Sequence, residues 1–186
     1  MNITVYCGAS LGINPAIQQA TIRLGRWIAE NQHKLVYGGS NVGLMGLIAD
    51  TVLERGGKVI GVLPEFLRQR EIAHTNLTEL ISVETMVERK QKMFELGNAY
   101  IALPGGPGTL EEIIEVLSWA RIGKNPNPCV FFNADGYYDK LKSFFTHMVS
   151  SAFLSQSDFD HFLFSDDLTE IEQFIINYQP PGIRTY

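Results

Sequence analysis

Two carboxylates in tandem, Glu111 and Glu112, follow a turn of three glycines and two prolines, Pro104-Gly105-Gly106-Pro107-Gly108. A second charged pair, Arg89-Lys90, stands earlier in a stretch of helical period. A glycine turn that leads into a helix aims backbone N–H groups at an anion, and the helix dipole favours its charge. Arg grips phosphate or carboxylate in bidentate fashion, and Lys adds a point charge. Carboxylates at the same turn would repel a phosphate. Their presence implies a site that does more than hold one.

Each of these features also has a plainer reading. Thr109-Leu-Glu-Glu112 has the form of a capping box, with Thr109 as N-cap and Glu112 at N3. A cap is worth roughly 1 kcal/mol without any chemistry. Glu88 and Lys92 stand at i,i+4 spacing, which suits an ordinary solvated helix face. Spacing alone leaves Glu112 between a cap and a catalyst. Two other glycine loops are excluded. A P-loop ends Gly-Lys-Ser/Thr, whereas this turn runs Gly108-Thr-Leu-Glu-Glu112. A dinucleotide fingerprint needs a third glycine where Glu111 stands, so an oxidoreductase of that kind is disfavoured.

The elements that position these residues alternate along the chain. The pattern predicts strands at Ile3–Cys7, Leu35–Tyr37, Lys58–Leu63, Leu80–Val83, Ala99–Leu103, Cys129–Asn133 and Leu163–Phe164. Helices are expected from Pro15, from the Gly38–Gly46 loop to Arg55, over Thr85–Asn98, Thr109–Gly123 and Tyr137–Phe153, and from a second capping box, Asp167-Leu-Thr-Glu170, to Tyr178. Glu65–Asn76 is polar and reads as a loop or a short helix. This order predicts an α/β chain of three αβα layers around a central parallel sheet. Ligands in such sheets bind beyond the strand C-termini. The Gly8 turn, the Gly38–Gly46 loop, the Glu65–Asn76 segment and the Gly105–Gly108 turn converge there.

The chain has 186 residues, enough for one domain, 1–186, with a real core. Hydrophobic residues make up 45 % and charged residues 19 %, a globular balance, and a net charge of −5 argues against a general nucleic-acid binder. Cys7 and Cys129 lie in apolar runs and read as buried free thiols in a reducing compartment. His33, His74, His147 and His161 are scattered without metal-ligand spacing. No secretory leader or membrane span is expected, and the chain reads as a soluble cytoplasmic protein that needs neither metal nor cofactor.

Several motifs together resemble one family. Pro104-Gly-Gly-Pro-Gly-Thr-Leu-Glu-Glu112 matches the P-G-G-x-G-T-x-x-E signature of the Lonely Guy family of cytokinin-activating phosphoribohydrolases, formerly labelled lysine decarboxylase-like. Met86-Val-Glu-Arg-Lys-Gln-Lys-Met93 resembles its M-H-x-R-K-x-x-M segment, with Val87 in place of the usual His. Tyr6-Cys-Gly-Ala-Ser10, Tyr37–Gly46 and Arg70-Glu71-Ile72 also resemble family segments. The resemblance implies a Rossmann-like fold, a homodimer, and hydrolysis of the N-glycosidic bond of AMP or N6-modified adenosine 5′-monophosphates to free base and ribose 5-phosphate. It implies that Arg89 and Glu112 form the catalytic pair, and that Gly105, Gly106, Gly108 and Thr109 bind the phosphate. Glu71, Arg89 and Lys90 are implied as substrate contacts, with Ser10, Gly39 and Gly43 in the neighbouring glycine loops. Carriers of nucleotide-like cofactors, such as molybdenum-cofactor carriers, resemble the same fold. A carrier would need the phosphate turn but no placed Arg–Glu pair.

Overall fold

The computed structural model describes residues 1–68 and 73–182. Seven strands form one parallel sheet: β1 (Asn2–Tyr6), β2 (Lys34–Tyr37), β3 (Lys58–Pro64), β4 (Glu79–Val83), β5 (Ala99–Ala102), β6 (Cys129–Phe132) and β7 (Phe162–Ser165). Their order across the sheet is β4-β3-β2-β1-β5-β6-β7. Ile3 pairs with Leu35 on one side and Ala99 on the other.

Side-chain alternation sorts each strand between two cores. Ile3, Val5, Leu35, Tyr37, Ile101, Val130 and Phe132 face one layer, where they meet α1 (Pro15–Glu30), α2 (Gly43–Glu54) and α8 (Leu168–Ile176). Tyr6, Val36, Ile60, Val62, Tyr100, Ala102 and Phe131 face the other, against α4 (Met86–Leu96), α5 (Pro107–Arg121) and α6 (Asp139–Ser150). The result is the expected Rossmann-like αβα sandwich. Two four-residue helices, α3 (Glu65–Arg68) and α7 (Gln156–Phe159), complete the described elements. No described helix is long and apolar enough to cross a membrane.

Several boundaries differ from expectation. The α6 helix starts at Asp139 because a 3₁₀ turn, Ala134–Gly136, precedes it with Asp135 in a left-handed conformation, φ 51°. The short helix α7 is absent from the sequence reading, since four residues carry no helical period. The second capping box forms only in part: Asp167 caps the N–H groups of Thr169 and Glu170, but Glu170 accepts from Ser165 Oγ instead of reaching back to Asp167.

Candidate active site

The strand order places the crevice. From β1 the chain turns towards β2, whereas β5 leads towards β6 on the opposite side. The loops after β1 and β5 therefore diverge, which opens a binding crevice at their C-terminal ends. Backbone hydrogen bonds join the loops that line it. Gly8 N–H donates to Pro104 O (3.1 Å) and Leu44 N–H donates to Gly8 O (3.1 Å). Gly43 has φ +59°, and a Cβ there would stand 2.3 Å from the Ala9 carbonyl carbon. Its bare backbone lets the head of α2 tuck beneath Ala9-Ser10.

The head of α5 corrects the capping-box expectation. The N-cap is Gly106, with extended backbone, and Pro107 occupies the first turn. Proline has its φ preset for this position and no N–H to leave unpaired, so the helix begins inside the glycine turn. Thr109 is then a first-turn helical residue, buried against Gly105, where a Cβ would lie 2.1 Å from Thr109 Oγ1. Glu112 falls in the second turn and caps nothing. Among the described residues no side chain caps this helix, which leaves the Gly108 and Thr109 N–H groups able to take an external acceptor.

Arg89 arrives from the opposite helix. Thr85 caps α4 by accepting from Glu88 N–H (3.1 Å), which sets the first turn and aims Arg89 inward. The Arg89 residue is only 8 % exposed. Its Nη2 donates to Gly38 O (3.1 Å), its Nη1 contacts Met86 Sδ (3.8 Å), and its buried Nε has no partner among the described residues. A buried guanidinium with donors to spare is an unfinished anion site.

Glu112 faces the same cavity, of about 280 Å³, lined also by Cys7, Gly8, Met45, Met86, Gly106, Gly108 and Thr109. Arg89 and Glu112 share it without closing an ion pair. Burial raises the Glu112 carboxyl to about 7; Glu111 and Glu115 push the same way, while Arg89 and Lys90 pull it down. A carboxyl poised near neutrality beside a cation is suited to charge stabilisation or proton transfer. Burial also raises the Cys7 thiol well above its usual range, so it is a neutral wall of the cavity.

The other expected residues are dispersed around this centre. Lys90 does not line the cavity; its ammonium contacts Glu111 and lies 3.0 Å from Glu115 Oε2. Ser10 lines an adjoining apolar cavity of about 500 Å³ with Leu11, Ile17, Leu44 and Tyr137, and its hydroxyl accepts from Gly12 N–H (3.2 Å). Gly39, at φ +80°, packs against Leu63 and Leu80 and accepts from His74 N–H (3.1 Å). Val87 is 73 % exposed. Glu71 lies outside the described residues. A larger cleft, about 660 Å³, lies at the far end of α5, where Arg121 is already held by Asp158 (3.1 Å). Sequence reading missed Gly38, Met45 and Met86 as parts of the site. Gly38 was legible only as one glycine of its loop, because nothing local shows that an arginine from α4 packs on it.

The family model described as "Possible lysine decarboxylase" matches residues 45–174. A cytokinin riboside 5′-monophosphate phosphoribohydrolase of Rhodococcoides fascians is 46 % identical over 155 residues, covering 83 % of this chain and 78 % of that one. One of Arabidopsis thaliana is 40 % identical over 178 residues, covering 96 % and 82 %. Among solved structures, the Moco carrier protein of Chlamydomonas reinhardtii superposes with a TM-score of 0.70 at 20 % identity over 94 % of this chain and 97 % of that one, a likeness of fold. With the family model spanning most of the chain and near relatives matched along most of their length, this chain belongs to the Lonely Guy family of cytokinin riboside 5′-monophosphate phosphoribohydrolases.

Proposed function

We propose that the protein hydrolyses the N-glycosidic bond of adenosine 5′-monophosphates, N6-modified ones included, to free base and ribose 5-phosphate. The observation that carries this reading is the shared cavity: a buried Arg89 whose Nε has no partner among the described residues, and a Glu112 carboxyl titrating at about 7, at the head of a helix whose N-cap residue supplies no side-chain cap. The phosphate occupies the head of α5, against the N–H groups of Gly108 and Thr109, with Gly105 and Gly106 shaping the turn. Arg89 balances its charge. The bond between C1′ and the base nitrogen then breaks with its electron pair on the base, and the ribose takes on oxocarbenium character. The Glu112 carboxylate stabilises that charge and accepts a proton from the water that bonds to C1′. The leaving base takes up a proton in turn.

Ser10, Gly39 and Gly43 shape the neighbouring loops in this reading, and Glu71 contacts base or ribose. The chain acts as one domain, in the cytoplasm, as a homodimer. Met86 and Val87, exposed apolar side chains in the first turn of α4, support an interface beside the cavity.

The decarboxylase description finds little support in the site. Schiff-base chemistry needs a neutral amine. Lys90 beside the cavity is held by two carboxylates, chiefly Glu111, which raise its pKa. Incubating the protein with AMP and with N6-isopentenyl-AMP, and resolving base and ribose 5-phosphate by chromatography, tests the proposal. Tight binding of both without release would instead favour a carrier.

A further inference from the structure

Arg89 and Lys90 are consecutive on α4, and Glu111 and Glu112 are consecutive on α5. The outer members of the two pairs, Lys90 and Glu111, are in contact. The inner members, Arg89 and Glu112, line one cavity without pairing, and Glu111 lines it as well. Lys90 Nζ also reaches Glu115, one turn along α5, at 3.0 Å. The Lys90 side chain is 18 % exposed and that of Glu115 33 %, while that of Glu111 is 57 % exposed, like the surface Arg23–Asp166 pair at about half on both sides. The Lys90–Glu115 contact is therefore less screened than an ordinary surface pair, and the Lys90–Glu111 contact remains open to solvent on its carboxylate side.

Resting on the hydrolase reading above, we propose that Lys90 is a positioning residue. It clasps α4 to α5 so that Arg89 and Glu112 share the cavity, and it neutralises Glu111 and Glu115, the two carboxylates on either side of Glu112 along α5. Two of its three ammonium donors are spent on Glu111 and Glu115, and its Nζ lies outside the cavity lining. The charged groups that act on Glu112 are Arg89 and Lys90 from α4 and Glu111 and Glu115 from its own helix; Tyr6 and Cys7, at the end of β1, stay protonated and are themselves raised by burial and by Glu112. Of these, Arg89 and Lys90 favour the carboxylate. Without Lys90, Arg89 alone opposes Glu111 and Glu115.

The test uses Lys90→Met in the full chain, which keeps an apolar stem and removes the charge. Titration of the Glu112 carboxyl by carbon NMR, assigned by the loss of its signal in Glu112→Gln, should move up by about half a pH unit or more. Replacing Glu111 and Glu115 with Gln in the Lys90→Met background should bring it back, and Lys90→Arg should stay near wild type. In turnover, kcat should fall by roughly tenfold with KM within about twofold. An unmoved Glu112 titration would overturn the proposal. So would a tenfold rise in KM at unchanged kcat, which would make Lys90 a substrate contact. The titration reads the clasp without any activity, so a wild-type protein that releases no base refutes the hydrolase reading and leaves this one to be judged by NMR.

Discussion

The bare Cα of Gly38 makes room for the Arg89 guanidinium: a methyl group there would stand 1.9 Å from Nη2, and the Gly38 carbonyl accepts that same nitrogen's hydrogen bond at 3.1 Å. The glycine loop after β2 therefore serves the site by holding a cation in place. A glycine whose backbone both accepts from and packs against one guanidinium fixes it in two ways.

Gly38→Ala should accordingly displace Arg89. A misplacement of about 1 Å costs roughly a hundredfold in rate. We expect a loss of that order in kcat/KM. Overpacking should cost about 1–3 kcal/mol of stability, as measured by denaturant unfolding. Wild-type turnover in this variant would mean that the position of Arg89 does not matter.

Glu112 supplies a pH signature. If the carboxylate is the working form, kcat/KM rises with pH through about 7. That limb should vanish in Glu112→Gln, while any limb due to the substrate phosphate remains.

The same carboxyl affects stability, and the sign is fixed. Its native value, about 7, lies above the usual 4.5, so between the two the folded protein keeps a proton that the unfolded chain has released. Stability from this group therefore falls as pH rises through that window, and the cost is fully present above it. Glu112→Gln should gain on wild type at about pH 8 and match it at about pH 4 in denaturant unfolding.

The end of α6 offers a change that leaves the site alone. Ala152 sits at φ 62°, where its N–H donates to Val149 O (3.0 Å) and Phe153 N–H donates to Met148 O (2.9 Å). This is a Schellman motif with alanine where glycine is preferred. Ala152→Gly should add roughly 1 kcal/mol and raise Tm by a few degrees, with unchanged turnover. A lower Tm would show that the left-handed strain is already relieved.

The fold was legible because periodicity carries it. Short apolar runs separated by helical periods give the order of elements, and each strand's alternation is now seen split between two cores. The boundaries were less legible where turn chemistry decides them, as at Pro107, whose preset φ starts α5 ahead of the apparent cap at Thr109. The pairing of Arg89 with Glu112 around one cavity came from motif resemblance, and the local sequence around either residue does not show it. Contacts between elements far apart in the chain, such as Gly38 under Arg89 or Lys90 between Glu111 and Glu115, depend on how α4 crosses the sheet. No local pattern encodes that crossing.

The most direct measurement is base release by wild type and Glu112→Gln, side by side, from AMP and N6-isopentenyl-AMP. Electrostatic stabilisation by one group is worth about 3–4 kcal/mol, or roughly 10²–10³ in rate. Glu112 caps nothing, so the substitution leaves the helix start untouched. The account predicts free base and ribose 5-phosphate from wild type and a loss of that size in the variant, with no fall in Tm. Equal rates from the two proteins would contradict it.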